Sequence, residues 1–350
     1  MKLGFILEPE APNSNYRVIL PMRALERRGH TVVWPSSIDD DIPLRALLNC
    51  DLVHCFRRLD RIRDLKQLSS RGVAISFDND DYLAAIDISS TDSGRTVSGA
   101  KGRFMNVRKF TDILKVTRFA DLTTTPSEAL AARYRTAGAE NVAVIENQLD
   151  GGAMLGFGRR VRHEGIVIGW IASKEHEADL PHLTVTDAIA RLLDMHANLR
   201  VLTVGSRLPL SSTRYEYLKE VPFEKLLQVS GRIDIGIAPL ADTQFNRARS
   251  NVKLKEYAAA GATWLASPVG AYREMGRGEG GRLVEDDQWF DALDGLIRGG
   301  FRRRRRAREA MKWAQSQTVD NHASIWEEAF IGAIGRTHAR TTGSRAASAR

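Results

Sequence analysis

Two α/β domains, each a doubly wound parallel sheet, are the fold class that this sequence predicts. Three observations carry the reading. The chain has 350 residues, more than one hydrophobic core usually serves. Short apolar runs alternate with helix-like stretches. That rhythm stops at the glycine-rich segment DGGAMLGFGRR and then starts again.

In the first half the runs are KLGFILEP, HTVVWP, DLVHCF, GVAISFDND, DLTTTP and VAVIEN, with a helix from about Tyr16 to Arg28 after the first. Near-continuous apolar strands between helices suit a parallel sheet covered on both faces. Between the fourth and fifth runs, the Ser/Gly/Thr-rich segment Ser89 to Gly102 reads as a mobile loop, followed by a basic amphipathic helix from about Lys101 to Phe119. The second half repeats the rhythm with EGIVIGWIAS, NLRVLTVGS, RIDIGIAPL, ATWLASP and GGRLVED. The expected organisation is an N-terminal domain over 1–160 and a C-terminal domain over 161–318. A terminal helix over 319–335 carries Ile325, Trp326, Phe330 and Ile331 at helical spacing and packs back on the first domain. The polar tail 336–350 reads as disordered.

Lys and Arg number 51 against 43 Asp and Glu, a net charge of +8. The excess is clustered at Arg57 to Lys66, Lys101 to Arg118 and Arg302 to Arg308. Such clusters attract nucleotide phosphates, anionic lipid surfaces or nucleic acid, although each alone also reads as a solvated helix face. Aromatic residues are not interleaved with the basic runs, so peripheral membrane contact is expected ahead of nucleic acid. There is no uncharged apolar run of about 18 residues, and the opening MKLGFILEPE reads as a strand rather than a targeting leader. A cytoplasmic protein, peripheral at most at the inner face of a membrane, is expected. Cys50 and Cys55 flank one apolar segment with no Cys/His set beside them, which suits core positions in a reducing compartment and no metal site.

The stretch SNVKLKEYAAAGATWLASPVG, Ser250 to Gly270, sets charges among alanines. A helix starting near Ser250, a good N-cap, after the buried strand IDIGIAPL would offer free backbone N–H groups and a positive dipole end to a phosphate. Arg247, Arg249 and Lys253 add charge there, and Asn251 lies in the same turn. Lys253 and Glu256 are three apart and share a face. As a plain surface ion pair they would contribute about 0.2–0.5 kcal/mol. With Ala259, Ala260 and Gly261 allowing close approach and an apolar strand following at once, the alternative is a nucleotide diphosphate clamp, its glutamate accepting hydrogen bonds from ribose hydroxyls.

The stretch resembles the Lys-x-x-Glu-Tyr-x-Ala-x-Gly block of GT-B glycosyltransferases, particularly family four. IENQLD (Ile145 to Asp150) is similar to the end of that family's N-terminal domain. IGWIASKEHEADL (Ile168 to Leu180) is similar to the first strand and donor loop of its C-terminal domain, and SNYRVILPMRALERRGHTVVW and the later DNDD are similar to its N-terminal blocks. The resemblance implies two Rossmann-like domains facing a central cleft. It also implies transfer of a sugar from a nucleotide-diphosphate sugar to a hydroxyl acceptor, with retention and with no metal or other cofactor. Glu256 matches the second glutamate of the family's Glu-x7-Glu pair, while the first falls on Ala248. Asn246 or Arg247 could replace the missing carboxylate. Lys174, in ASKEHEAD, could replace the family's diphosphate-binding cations, and Ser173 and Gly205 complete the expected donor set.

On the acceptor side Asn15, Tyr16 and Arg17 occupy the first strand-to-helix turn. Asp78, Asp80 and Asp81 read as acceptor-side or structural, and His54 and Asp80 are the candidates for a general base. The alternatives are a nucleotide-sugar-binding protein that lacks transferase activity, motivated by Ala248, and a transferase acting on modified nucleic acid.

Overall fold

The computed structural model describes all residues except 10, 12, 36–39, 87–88, 91–95, 153–162, 220 and 349–350. The chain forms two compact units, Met1–Gln148 with Val319–Arg350, and Leu149–Thr318.

In unit 1 the strands β1 (Lys2–Ile6), β2 (Thr31–Val33), β3 (Leu52–Phe56), β4 (Ala74–Asp78), β7 (Leu122–Thr125) and β8 (Val142–Val144) form one sheet in the order β2-β1-β3-β4-β7-β8. Every pairing is parallel. The strand order reverses between β1 and β3, the place where an open α/β sheet leaves room beyond its carboxyl edge. Leu3, Phe5, Leu52 and Phe56 pack with Val18, Met22 and Leu25 and with Trp326, Phe330 and Ala333 of the C-terminal helix.

That helix runs Val319–Ser348, through most of the expected tail. Its described contacts explain the extension: Thr337 is fully buried, Arg336 donates to the Asp121 carbonyl at 3.1 Å, and Arg340 pairs with the Asp121 carboxylate at 2.8 Å. Of the four apolar residues expected to pack, Trp326 and Phe330 are buried, whereas Ile325 and Ile331 lie on the exposed face. The expected loop Ser89 to Gly102 contains a two-stranded antiparallel ribbon, β5 (Ser89–Ser90) with β6 (Thr96–Val97), and the start of the helix Gly99–Phe119; its residues 91–95 lie outside the described residues.

In unit 2 the strands are β9 (Ile166–Ala172), β10 (Leu199–Gly205), β11 (Tyr215–Leu218), β12 (Ile235–Ala238), β13 (Thr263–Ala266) and β14 (Gly281–Leu283). They lie in the order β11-β10-β9-β12-β13-β14, again all parallel, with the reversal between β9 and β12. Strand β11 was not foreseen, because this half-buried edge strand, YEYL, carries no continuous apolar run. The chain enters unit 2 at Leu149, before the expected boundary. Leu149 donates its N–H to Gln317 at 2.8 Å and packs on Ala258, Ala259, Ala310 and Ala314. Most of the glycine-rich bridge lies outside the described residues.

Candidate functional site

The site is built on the carboxyl edge of the unit 2 sheet. β9 and β12 pair directly at Ile168–Ile235 and Gly169–Gly236. Beyond that point a side chain continues the connection, since the Tyr257 hydroxyl accepts the Ile171 N–H and donates to the Ile237 carbonyl, both at 2.9 Å. The Tyr257 ring lies where a Cβ on Gly236 would stand 2.3 Å away, so only glycine fits there. One residue of the helix Val252–Ala259 is thereby locked between the two strands at the strand-order reversal, which fixes the neighbouring Glu256 and Lys253 at that edge.

Glu256 is 2 % exposed and ion-paired with Lys253, whose side chain is 22 % exposed. A buried carboxylate next to a cation that reaches solvent can exchange that partner for hydroxyl donors without a new desolvation cost. The helix begins one residue later than expected, with Asn251 at the N-cap and Ser250 preceding it. Arg249 leans on the Phe245 ring, 5.1 Å from its centroid, and lies 3.6 Å from Glu175. Arg249 and Lys253 thus stand at the positive end of a helix dipole, an arrangement that an anion would relieve.

The loop after β9 is laced down by its own acids. Ser173 Oγ donates to Glu175 at 2.6 Å, Glu177 accepts the Arg207 N–H at 2.8 Å, and Asp179 meets His176 Nδ1 at 3.2 Å. Ser206 Oγ donates to the Ser173 carbonyl at 2.7 Å, and Gly205 has φ 79°, with the Ala172 carbonyl 2.3 Å from where a Cβ would be. The ends of β9 and β10 therefore approach too closely for any residue but glycine. Lys174 is exposed at the start of this loop.

Two expected donor contacts are corrected. Asn246 is buried, its amide donating to both Asp179 oxygens and to the Ala241 carbonyl at 2.9 Å, so it ties one loop to another. Arg247 is exposed and bidentate to Asp242 at 2.6 and 2.8 Å. Ala248, at the position of the absent carboxylate, is buried. Tyr257, Glu175, Asp179 and His176 were not singled out beforehand. Only the tyrosine left a signal, its place between glutamate and a run of alanines.

The expected acceptor-side residues lie in unit 1, and several belong to its core. His54 is fully buried, with Nδ1 2.9 Å from Ser76 Oγ and Nε2 3.1 Å from the Arg17 carbonyl, among the rings of Phe5, Trp326 and Phe330. Burial lowers its pKa to about 4. It is a core histidine and no base for an external hydroxyl, which corrects the expectation. Arg17 is also sealed: it grips Asp78 in a bidentate pair, the closest contact 2.6 Å, and donates to the Ile145 carbonyl and to Asn147 Oδ1. Asp78 further accepts from Thr124. This pair joins β4 to the end of β8 and is structural.

Asn15 and Tyr16 open a π-helical turn, Asn15–Ile19, with Tyr16 buried. At the same edge Arg57 is the one non-glycine residue with positive φ among the described residues, at 59°. Its guanidinium draws Asp80, Asp81 and Glu8 together from the ends of β4 and β1. Against a burial that would lower it, these three carboxylates raise the Arg57 pKa. Burial in turn raises Asp80 to about 6 despite Arg57. A left-handed arginine costs on the order of 1 kcal/mol or more, held here by its ion pairs.

Among the described residues no group of three or more His, Cys, Asp or Glu side chains is placed to hold a metal ion, and no helix is long and apolar enough to cross a membrane. Cys50 and Cys55 are free and buried, and burial pushes their thiols up to about 11 and about 12.

No family profile and no curated protein sequence matches the chain. Solved structures do. HepE of Anabaena, in complex with UDP and glucose, is 16 % identical with a TM-score of 0.62, over 94 % of this chain and 99 % of that one. An alpha-glucosyltransferase in complex with UDP-glucose and DNA containing an abasic site is 12 % identical, TM-score 0.66, over 95 % and 99 %. The catalytic domain of starch synthase IV from Arabidopsis thaliana, bound to ADP and acarbose, is 12 % identical, TM-score 0.61, over 96 % and 99 %. At these identities the likeness is one of architecture, and it covers both units from end to end: the chain has the GT-B fold of these glycosyltransferases.

Proposed function

We propose that this protein is a glycosyltransferase that moves a sugar from a nucleotide-diphosphate sugar to a hydroxyl acceptor, a glycan, a lipid-linked glycan or a small molecule. The observation that carries the reading is Glu256, a buried carboxylate at the first turns of a helix locked to the strand-order reversal, next to a lysine that reaches solvent. Glu256 takes the ribose hydroxyls as a pair of hydrogen-bond donors. Lys253 then turns to the diphosphate together with Arg249 and the N–H groups of the turn Ser250–Asn251, and Ser173, Lys174 and Gly205 border the same phosphate from the β9 and β10 ends. Structures of this fold crystallised with UDP, UDP-glucose and ADP support the choice of ligand class.

In this reading the bond from the sugar to the diphosphate breaks and the nucleotide diphosphate leaves with the electron pair. Fixed cations and backbone dipoles stabilise the charge that develops there, a role that a divalent ion fills elsewhere. The acceptor oxygen bonds to the anomeric carbon on the face that the leaving group vacates, and its proton passes to the departing phosphate oxygen, giving retention.

Titration calorimetry with UDP-, GDP- and ADP-sugars tests the donor, and transfer to a glycan panel with excess chelator tests the chemistry. One donor binding at micromolar level and chelator-insensitive transfer are expected. No binding by any donor would refute the reading.

A further inference from the structure

A second charged surface lies in unit 2, formed by arginines that are not among the residues assigned to the donor. The helix Gly300–Ser316 turns Ala307, Ala310 and Ala314 inward. Its other faces carry Arg302, Arg304, Arg305, Arg306 and Arg308. The start of β14 is clamped on this helix: a Cβ on Gly280, which has φ 77°, would stand 2.3 Å from the Ala310 nitrogen. That approach brings Arg277 and Arg282, on either side of Gly280, within charge range of Arg306. Burial and the charges of Arg277, Arg302 and Arg282 together lower the pKa of Arg306. Of the nearby acids, Glu309 is taken by Arg305 at 3.0 Å and the Glu279 carboxylate by the Gly276 N–H at 2.7 Å. Among the described residues Arg277, Arg302 and Arg306 have no ion-pair partner, so like charges crowd at Arg306 with Glu309 as the only acid that opposes them there.

We infer that this arginine face, Arg277, Arg282, Arg302 and Arg306, is a docking surface for the phosphodiester backbone of a nucleic acid. Crowded like charges are costly unless a polyanion lies across them, and guanidinium groups match phosphate oxygens in bidentate fashion. A membrane surface fits less well. Insertion needs an apolar helix face, and the apolar residues of this helix are turned into unit 2. The exception is Phe301, 71 % exposed and next in sequence to Arg302. One ring beside arginines suits stacking on a base rather than anchoring in lipid.

The test is fluorescence anisotropy of the full chain with a labelled 20-mer, as single strand and as duplex, from 50 to 300 mM salt. Four phosphates neutralised predict a log–log salt slope of about −3 for the single strand and about −4 for the duplex. The triple variant Arg282→Glu/Arg302→Glu/Arg306→Glu should weaken binding at least 30-fold with an unchanged unfolding midpoint. The charge-matched control Lys66→Glu/Lys115→Glu/Arg135→Glu, on exposed positions of unit 1, should weaken it less than three-fold. Equal losses in both variants would mean attraction by net charge alone and would overturn the inference. So would patch-dependent sedimentation with phosphatidylglycerol vesicles in the absence of oligonucleotide binding. If the triple variant unfolds, Arg302→Gln and Arg306→Gln singly must each still weaken binding for the inference to stand.

Discussion

The two units share one plan, six parallel strands with a single reversal of order, yet they treat charge at that reversal in opposite ways. In unit 1 the charges are closed on themselves: Arg17 and Asp78 are both fully buried, and Arg57 is ion-paired with three acids. In unit 2 the pairing is loose. Lys253 and Arg249 retain about a fifth of their side-chain surface in solvent, and a helix start stands behind them. Charge neutralised inside the protein holds strands together, while charge left open to water is available to a ligand. Under the proposed function, this difference leaves unit 1's charges chiefly to structure and gives unit 2's to recognition.

The sharpest way to break that contrast is to remove one charge from each unit. Asp78→Ala strands a buried guanidinium and should cost about 3–5 kcal/mol of stability by chemical denaturation; a loss below about 1 kcal/mol would show that the pair is not structural. Tyr257→Phe deletes the hydroxyl between β9 and β12 and leaves the Ile171 N–H and the Ile237 carbonyl unpaired, a cost of about 1–3 kcal/mol. Because the helix then loses its anchor, donor affinity should also fall, by about ten-fold. Unchanged affinity would separate the anchor from the site.

A pH measurement sharpens the same point in unit 1. His54 has its pKa lowered to about 4, from 6.5. Between those values the unfolded chain binds a proton that the folded one refuses, so stability falls on acidification. Asp80 has its pKa raised to about 6, from 3.8, so in that window the folded chain binds the extra proton and stability rises on acidification. The two oppose each other. Asp80→Asn removes the compensating part, and denaturation midpoints from pH 6.5 to 4.5 should fall more steeply in the variant than in the parent. A flatter profile would contradict the assignment. The smallest effect belongs to Arg340→Ala, which removes a half-exposed partner of Asp121 at the end of the C-terminal helix and should cost less than about 1 kcal/mol.

Much of the fold could be read from sequence because buried parallel strands are apolar runs and helices carry a 3.6-residue period. What escaped was whatever depends on a distant partner. Strand β11 is polar because it is an edge, and the helix beyond Ile334 is ordered by Asp121, which lies more than two hundred positions away in the chain. The Lys253–Glu256 pair was legible, because spacing on one helix is local information. His54 and Arg17 were misread because residue type suggests chemistry, while burial, invisible in a single sequence, decides it. The link from Asn246 to Asp179 joins two loops 67 positions apart, and nothing local announces it.

The central claim is that Glu256 holds a nucleotide rather than the fold. Its most direct test is calorimetric titration of nucleotide diphosphates and their sugars into the parent protein and into Glu256→Ala, with unfolding midpoints measured in parallel. Loss of two hydrogen bonds to a charged acceptor predicts at least a 100-fold weaker donor affinity, with less than about 1 kcal/mol lost in stability. Equal donor affinity in the two proteins, or a collapse of stability that accounts for the lost binding, would contradict the account.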